Sequence, residues 1–257
     1  MRAGFQGWAG TLLALAGLLL GGLPARAQDV RKADNTAVKP VDRKDQGGWQ
    51  KRHERFLERA KQGDVDVLFL GDSITHGWES NGKKVWEEHF APLKAANFGI
   101  GGDRTQHVLW RITEGKELDG IDPKVAVLMI GTNNASSNTA KEIAEGVEAI
   151  VKELRRQKPK VKVLVLGVFP RGGKRREKEQ TEVKAEDLHP KIKEINGLIA
   201  KLDDGKAVKY LDIGGKLLDK SGDLQKAVMY DFLHLTDNGY AIWAEAIKPN
   251  VVNMLGD

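Results

Sequence analysis

The chain predicts a three-layer α/β/α sandwich on a parallel sheet. The prediction rests on five short apolar runs, on helical stretches between them, and on glycine-rich or polar loops that directly follow the runs. The runs are Val65 to Leu70, Ala95 to Phe98, Val125 to Ile130, Val161 to Phe169 and Val208 to Ile213. Most are nearly continuous in Val, Leu and Ile, as strands buried on both faces are. Between the third and fourth runs, Ile143, Val147, Ile150, Val151 and Leu154 form one apolar stripe at the helical period. Lys141, Glu145, Glu148, Lys152 and Arg155 occupy the rest of that wheel. Further helices are predicted around Leu188 to Leu202 and from Asp237 to Leu255. Strands alternating with helices make parallel βαβ units. Such sheets collect their ligands at the carboxyl ends of the strands, so the chemistry is expected just after each run.

Of 257 residues, 40% are apolar and 30% charged, which is globular and excludes a collagen, a coiled coil or wholesale disorder. The absence of cysteine excludes a disulfide scaffold, a thiol nucleophile and thiolate-bound zinc or iron–sulfur clusters. Residues 1–27 read as a signal peptide for secretion or export to the periplasm. Arg2 begins it, Trp8 to Gly22 is apolar, and Ala25-Arg26-Ala27 is a small-x-small cleavage pattern. The apolar run falls short of the roughly twenty residues that span a bilayer, so no stable membrane span is expected after cleavage. Arg2 and Arg26 leave with the segment and no acid does, which lowers the net charge from +5 to +3. With scattered lysines, that balance argues against a nucleic-acid partner. Residues 28–48 are polar and are expected as a flexible surface leader. From Trp49 the pattern is periodic, with no break rich enough to mark a second domain, so 49–257 is taken as one domain.

Four loops carry candidate chemistry. Gly71-Asp72-Ser73 follows the first run, and Ser73 at a strand-to-helix turn is a candidate nucleophile; the alternative is a helix-capping serine. Gly99-Ile100-Gly101-Gly102-Asp103 follows the second, where the Gly102 amide could serve an oxyanion. A dinucleotide fingerprint would need glycine at 104, which is Arg104. Gly131-Thr132-Asn133-Asn134 follows the third, and Asn133 is a candidate side-chain donor or a plain turn residue. Tyr230-Asp231-Phe232-Leu233-His234 precedes the last helix. Its Asp-x-x-His spacing lets one turn carry a base and its orienting carboxylate; the alternatives are a turn aspartate and a core histidine. Together the loops supply four different roles in the chain order Ser…Asp…His, without the G-x-S-x-G elbow of other α/β hydrolases.

These residues resemble the SGNH, or GDSL, hydrolase superfamily over about residues 65–240, with Ser73, Gly102, Asn133 and His234 as the four letters. The strings Asn97 to Asp103, Gln106 to Arg111, Gly131 to Asn134 and Val168 to Gly172 are similar to the catalytic subunits of intracellular platelet-activating-factor acetylhydrolase. The resemblance implies a flavodoxin-like sheet of five parallel strands, no metal or other cofactor, and ester hydrolysis through an acyl-enzyme. By position it makes Ser73 the nucleophile, His234 the base, Asp231 its orienter, and Ser73, Gly102 and Asn133 the oxyanion hole. Two features depart from the branch: the export signal, and a slightly longer stretch from His76 to Gly82. The loop from Arg171 to His189 is charge-rich and reads as a solvated face or a pocket rim. The expected function is a secreted serine esterase for short, chiefly O-acetyl, esters on carbohydrate. The alternatives are a lipid or lysophospholipid acyl hydrolase, a thioesterase, or a non-catalytic binding module on the same fold. The expected partners are a small ester or acetylated glycan and, because the resembled branch forms dimers, a second copy of the chain.

Overall fold

In the computed structural model the described residues are 34–173 and 180–256, with Met1, Ala3 and Gly4. The chain divides into two units, Met1–Asp34 and Asn35–Asp257. Nearly all of the first, and with it the expected signal peptide, lies outside the described residues, as do residues 174–179 of the charge-rich loop. The second unit runs through α1 (Gly47–Lys61), β1 (Val67–Gly71), α2 (Ser73–His76), α3 (Lys83–His89), β2 (Ala95–Gly99), α4 (Thr105–Ile112) and β3 (Val125–Met129). Then come α5 (Ala140–Gln157), β4 (Lys162–Leu166), β5 (Glu182–Val183), α6 (Pro190–Ile199), β6 (Val208–Leu211), β7 (Leu224–Gln225) and α7 (Asp237–Gly256).

The main sheet has five strands in the order β2-β1-β3-β4-β6, all parallel, and these are the five apolar runs trimmed at their ends. Side chains alternate across it, so each strand feeds two cores. Leu68, Leu70, Ala126, Leu128, Val163 and Val165 pack under α1, α4, α5 and α6. Val67, Phe69, Val125, Val127, Leu164 and Leu166 pack with Trp78, Phe90 and the α7 residues Tyr240, Trp243, Ile247 and Val251. The three-layer sandwich is thus realised. Helix α5 begins on a capping box: Thr139 Oγ1 accepts from the Glu142 amide and Glu142 accepts from the Thr139 amide. The two-residue strands β5 and β7 form a separate antiparallel ribbon.

The leader departs from expectation. From Asn35 on it is built into the domain. Asn35 Nδ2 donates to the Glu142 carbonyl at 3.2 Å and to Glu145 Oε2 at 2.8 Å, and Ala37 is fully buried. Thr105 Oγ1 donates to the Ala37 carbonyl at 2.8 Å. The anchors are single polar atoms, which leave no apolar period to read.

The first strand ends where the chemistry begins. A side chain at Gly71 would collide with Thr75 Oγ1 and the Met129 carbonyl, so this glycine is required for space, not for an unusual φ. Asp72, not Ser73, caps α2: its Oδ1 accepts from the Ile74 amide at 3.0 Å. Asp72 is fully buried, and its Oδ2 has no hydrogen-bond partner among the described residues. Burial pushes its carboxyl up from 3.8 to about 7; the Ile74 amide opposes this and the charge of Asp103 adds to it. Between those two pH values the folded chain holds a proton that the unfolded chain has released, so this group makes the fold less stable as pH rises through the window. Asn keeps the cap and cannot ionise. Asp72→Asn should therefore raise the melting temperature relative to the parent more at pH 8 than at pH 5. An equal difference at both, measured by thermal denaturation, would mean that Asp72 ionises normally.

Candidate active site

Ser73 opens α2 at the carboxyl end of β1, a central strand, and stays half-buried. His234 arrives from the far end of the sequence, and its Nε2 lies 2.9 Å from Ser73 Oγ. On the other side of the ring, Nδ1 lies 2.8 Å from Asp231 Oδ2. An ionised carboxylate can only accept, so Nδ1 carries the proton and Nε2 presents its lone pair to the serine hydroxyl. Asp231 Oδ1 accepts from the Leu233 amide at 3.0 Å and from the His234 amide at 2.6 Å. Burial alone would raise the Asp231 carboxyl; the bonds from the His234 amide and ring and from the Leu233 amide outweigh it and hold the carboxyl below its ordinary value.

The turn that carries this pair is bent at Phe232, which sits at φ +57°. For a bulky residue that backbone costs on the order of 1–3 kcal/mol. Phe232 is 1% exposed in the α7-side core, and burying such a ring contributes roughly 1.5–3 kcal/mol. The Tyr230 amide closes the turn on the His234 carbonyl at 3.1 Å.

Facing the serine is the Gly101-Gly102-Asp103 loop. A Cβ at Gly101 would lie 3.8 Å from Ser73 Cβ and 3.9 Å from His76 Nδ1, so the loop borders the serine. Gly102 has φ +78°, a region open to glycine. The buried Asp103 carboxylate takes Arg111 Nε at 2.9 Å, Trp49 Nε1 at 2.8 Å and Arg43 Nη1 at 3.1 Å. Burial raises Asp103, against Arg111, Trp49 and Arg43, which lower it. Arg111, itself fully buried, also donates to Glu117 at 2.6 Å and to the Phe98 carbonyl at 2.9 Å. The Asp103 carbonyl accepts from Asn133 Nδ2 at 2.8 Å. That amide nitrogen has a second hydrogen to give. Asn134 Oδ1 accepts from the Thr105 amide at 3.0 Å and holds the Asn133 loop to the start of α4.

Ser73 and His234 open on a cavity of about 240 Å³ lined also by His76, Ser80, Asn81, Tyr230 and Tyr240. His76 is kept below its ordinary pKa by burial and by the charge of Arg52. Tyr230 is exposed and stacks on the His234 ring at 6.0 Å between centroids. A larger cavity, about 700 Å³, lies where β4 and β6 end against α6; it is lined by Val168, Leu188, Ile192 and Tyr210 among others and shares no residue with the first. Among the described residues, Glu182, Asp219 and Asp223 are near enough to hold a metal, but the Lys184 ammonium already pairs with Glu182 at 2.7 Å and Asp223 at 2.9 Å.

All five residues singled out in the sequence thus lie at one end of the sheet. Ser73, His234 and Asp231 are joined directly; Gly102 and Asn133 are joined through Asp103. Sequence reasoning missed Arg43, Trp49 and Arg111, which fix that loop. Arg111 carried a usable signal, a lone charge among Val108, Leu109, Trp110 and Ile112. Trp78 and Trp110 are both buried.

Residues 69–242 match the model of the GDSL-like Lipase/Acylhydrolase family. The chain is 41% identical over 207 residues to platelet-activating factor acetylhydrolase IB subunit alpha2 of Rattus norvegicus, covering 80% of this chain and 85% of the relative. It is 36% identical to subunit alpha1 of the same organism over 228 residues, covering 87% and 92%. Among solved structures, a GDSL-like lipase from Bacteroides thetaiotaomicron superposes with a TM-score of 0.59 at 18% identity, over 80% of this chain and 97% of that one. The carbohydrate acetylesterase Est24 from Sinorhizobium meliloti superposes with a TM-score of 0.55 at 21% identity, over 74% and 99%. Those two likenesses speak for the fold alone. The family model and the rat relatives go further: the chain belongs to the GDSL-like lipase/acylhydrolase family and is an ester hydrolase.

Proposed function

We propose that the protein removes short acyl groups, chiefly O-acetyl groups on carbohydrate, through an acyl-enzyme on Ser73. The observation that carries this reading is the unbroken line Ser73 Oγ, His234 Nε2, His234 Nδ1, Asp231 Oδ2, with contacts of 2.9 and 2.8 Å, opening on a small cavity. In this reading Ser73 Oγ attacks the ester carbonyl carbon and its proton passes to Nε2. The carbonyl oxygen takes the negative charge, facing the Ser73 and Gly102 amides and the second Asn133 Nδ2 hydrogen. The bond to the alcohol then breaks, and Nε2 returns the proton to the leaving oxygen. Water attacks the acyl-serine by the same path, with Nε2 again taking and giving the proton. Asp231 stays ionised throughout and stabilises the imidazolium.

Two features support a short acyl group on a polar alcohol. The cavity beside Ser73 is about 240 Å³ and carries His76, Ser80, Asn81 and Tyr230, while the roomier apolar cavity shares none of its walls. Exposed Tyr230 offers a flat ring at the mouth against which a sugar face can lie. The names of the rat relatives, acetylhydrolases of platelet-activating factor, favour a second alcohol, a lipid, with the same acyl group.

Ser73→Ala should abolish turnover of p-nitrophenyl acetate with little change in melting temperature, and Asn133→Ala should lower kcat by about 10²–10³. An Asn133→Ala enzyme as fast as the parent would remove that side chain from the oxyanion site. Across p-nitrophenyl esters of rising chain length, kcat/KM should peak at acetyl; a peak at octanoyl or longer would overturn the short-acyl reading. Acetate release from acetylated xylan and pectin fragments beside an acetyl phospholipid decides between the two alcohols.

A further inference from the structure

We propose that Arg43 is a positioning residue for ester hydrolysis: its guanidinium clamps the Gly101-Gly102-Asp103 loop against Ser73 and thereby aims the oxyanion donors. This rests on the Ser73 acyl-enzyme reading. Arg43 lies outside the residues matched by the family model, on the segment that docks from Asn35 onward. That segment is held along its length. Asn35 is fixed to α5, Asn138 Nδ2 donates to Thr36 Oγ1 at 3.0 Å, and the Val41 amide donates to the Gln106 carbonyl at 3.3 Å. Gln46 Oε1 takes Arg43 Nη2 at 2.5 Å, so the guanidinium is itself oriented.

Arg43 Nη1 then reaches two acceptors on the loop, the Gly101 carbonyl at 3.0 Å and Asp103 Oδ1 at 3.1 Å. A Cβ at Gly102 would lie 3.1 and 3.2 Å from the two terminal nitrogens, so the guanidinium rests on the face of that residue. Gly101 meets Ser73. The glycine pair is therefore held between a cation and the nucleophile. The carbonyl of the next residue, Asp103, orients Asn133. One side chain thus controls the placement of two oxyanion donors, the Gly102 amide and the Asn133 amide.

Arg43 is suited to tuning, not to holding the fold. The Asp103 carboxylate keeps Arg111 and Trp49 without it, and the Arg43 side chain is 18% exposed against 0% for Arg111. Its removal leaves no unpaired buried charge; it frees the Gly101 carbonyl and the turn.

The test compares Arg43→Ala, Arg43→Lys and Ser73→Ala with the parent on p-nitrophenyl acetate, with and without tens of millimolar guanidinium chloride. Displacement of a reacting group by about 1 Å costs on the order of 10²-fold, so Arg43→Ala should lose about 10- to 100-fold in kcat, with KM little changed and the melting temperature near that of the parent. Guanidinium ion should restore part of the lost kcat. Lysine, which lacks the planar fork, should fall between alanine and the parent. A parental kcat in Arg43→Ala, or a loss that follows melting temperature and ignores guanidinium, overturns the clamp. Ser73→Ala separates the two readings. If it is inactive while Arg43→Ala is as fast as the parent, only the clamp falls; if it retains the parental rate, the serine reading falls and the clamp with it.

Discussion

The bond between the Asp231 carboxylate and Nδ1 of His234 is the contact that the rest of the site serves. A carboxylate cannot donate, so this 2.8 Å contact decides which ring nitrogen keeps the proton, and hence that Nε2 faces Ser73 as a base. The turn around it is organised to keep the carboxylate in place. Two backbone amides fill Oδ1, and the Phe232 ring is anchored in the α7-side core although its backbone is left-handed. The sheet supplies the other partner. Space at Gly71 and a buried cap at Asp72 bring β1 into α2 with the serine as first residue of the helix.

The opposing wall is built from buried charge. Taking Asp103, Arg111 and Glu117 out of water is unfavourable, and the penalty is offset because every one of them is paired and hydrogen-bonded. Removing one member of such a set costs about 3–5 kcal/mol, far more than a surface pair is worth. What this provides to the chemistry is rigidity. The Gly101 to Asp103 backbone and the Asn133 amide are held by these bonds, so in the proposed mechanism little reorganisation is left when charge develops on the carbonyl oxygen.

The sheet was legible in the sequence because its strands are buried on both faces and must be apolar throughout. Val125–Met129 and Lys162–Leu166 came through as runs for that reason. At the edge, β6 stops at Leu211, with Lys209 turned to solvent, and the run to Ile213 overstated it. The site was legible because each of its loops follows a strand. Less legible were features whose partners are distant and polar. Asn35 and Arg43 look like leader residues until α5 and the Gly101 loop are beside them. Arg111 stands out as a lone charge among apolar residues, but its acceptors Asp103 and Glu117, on either side of α4, are not marked by any period. Periodicity records burial by apolar neighbours and is blind to burial by ion pairs.

The most direct test of the central claim is covalent labelling with a fluorophosphonate probe, followed by intact-mass and peptide mapping of the folded parent and of His234→Ala. An activated serine forms one adduct, at Ser73, and loses at least about 10²-fold in labelling rate when the base is removed. No adduct on folded protein, an adduct at a different residue, or an undiminished rate without His234 would contradict the proton path from Ser73 to Asp231.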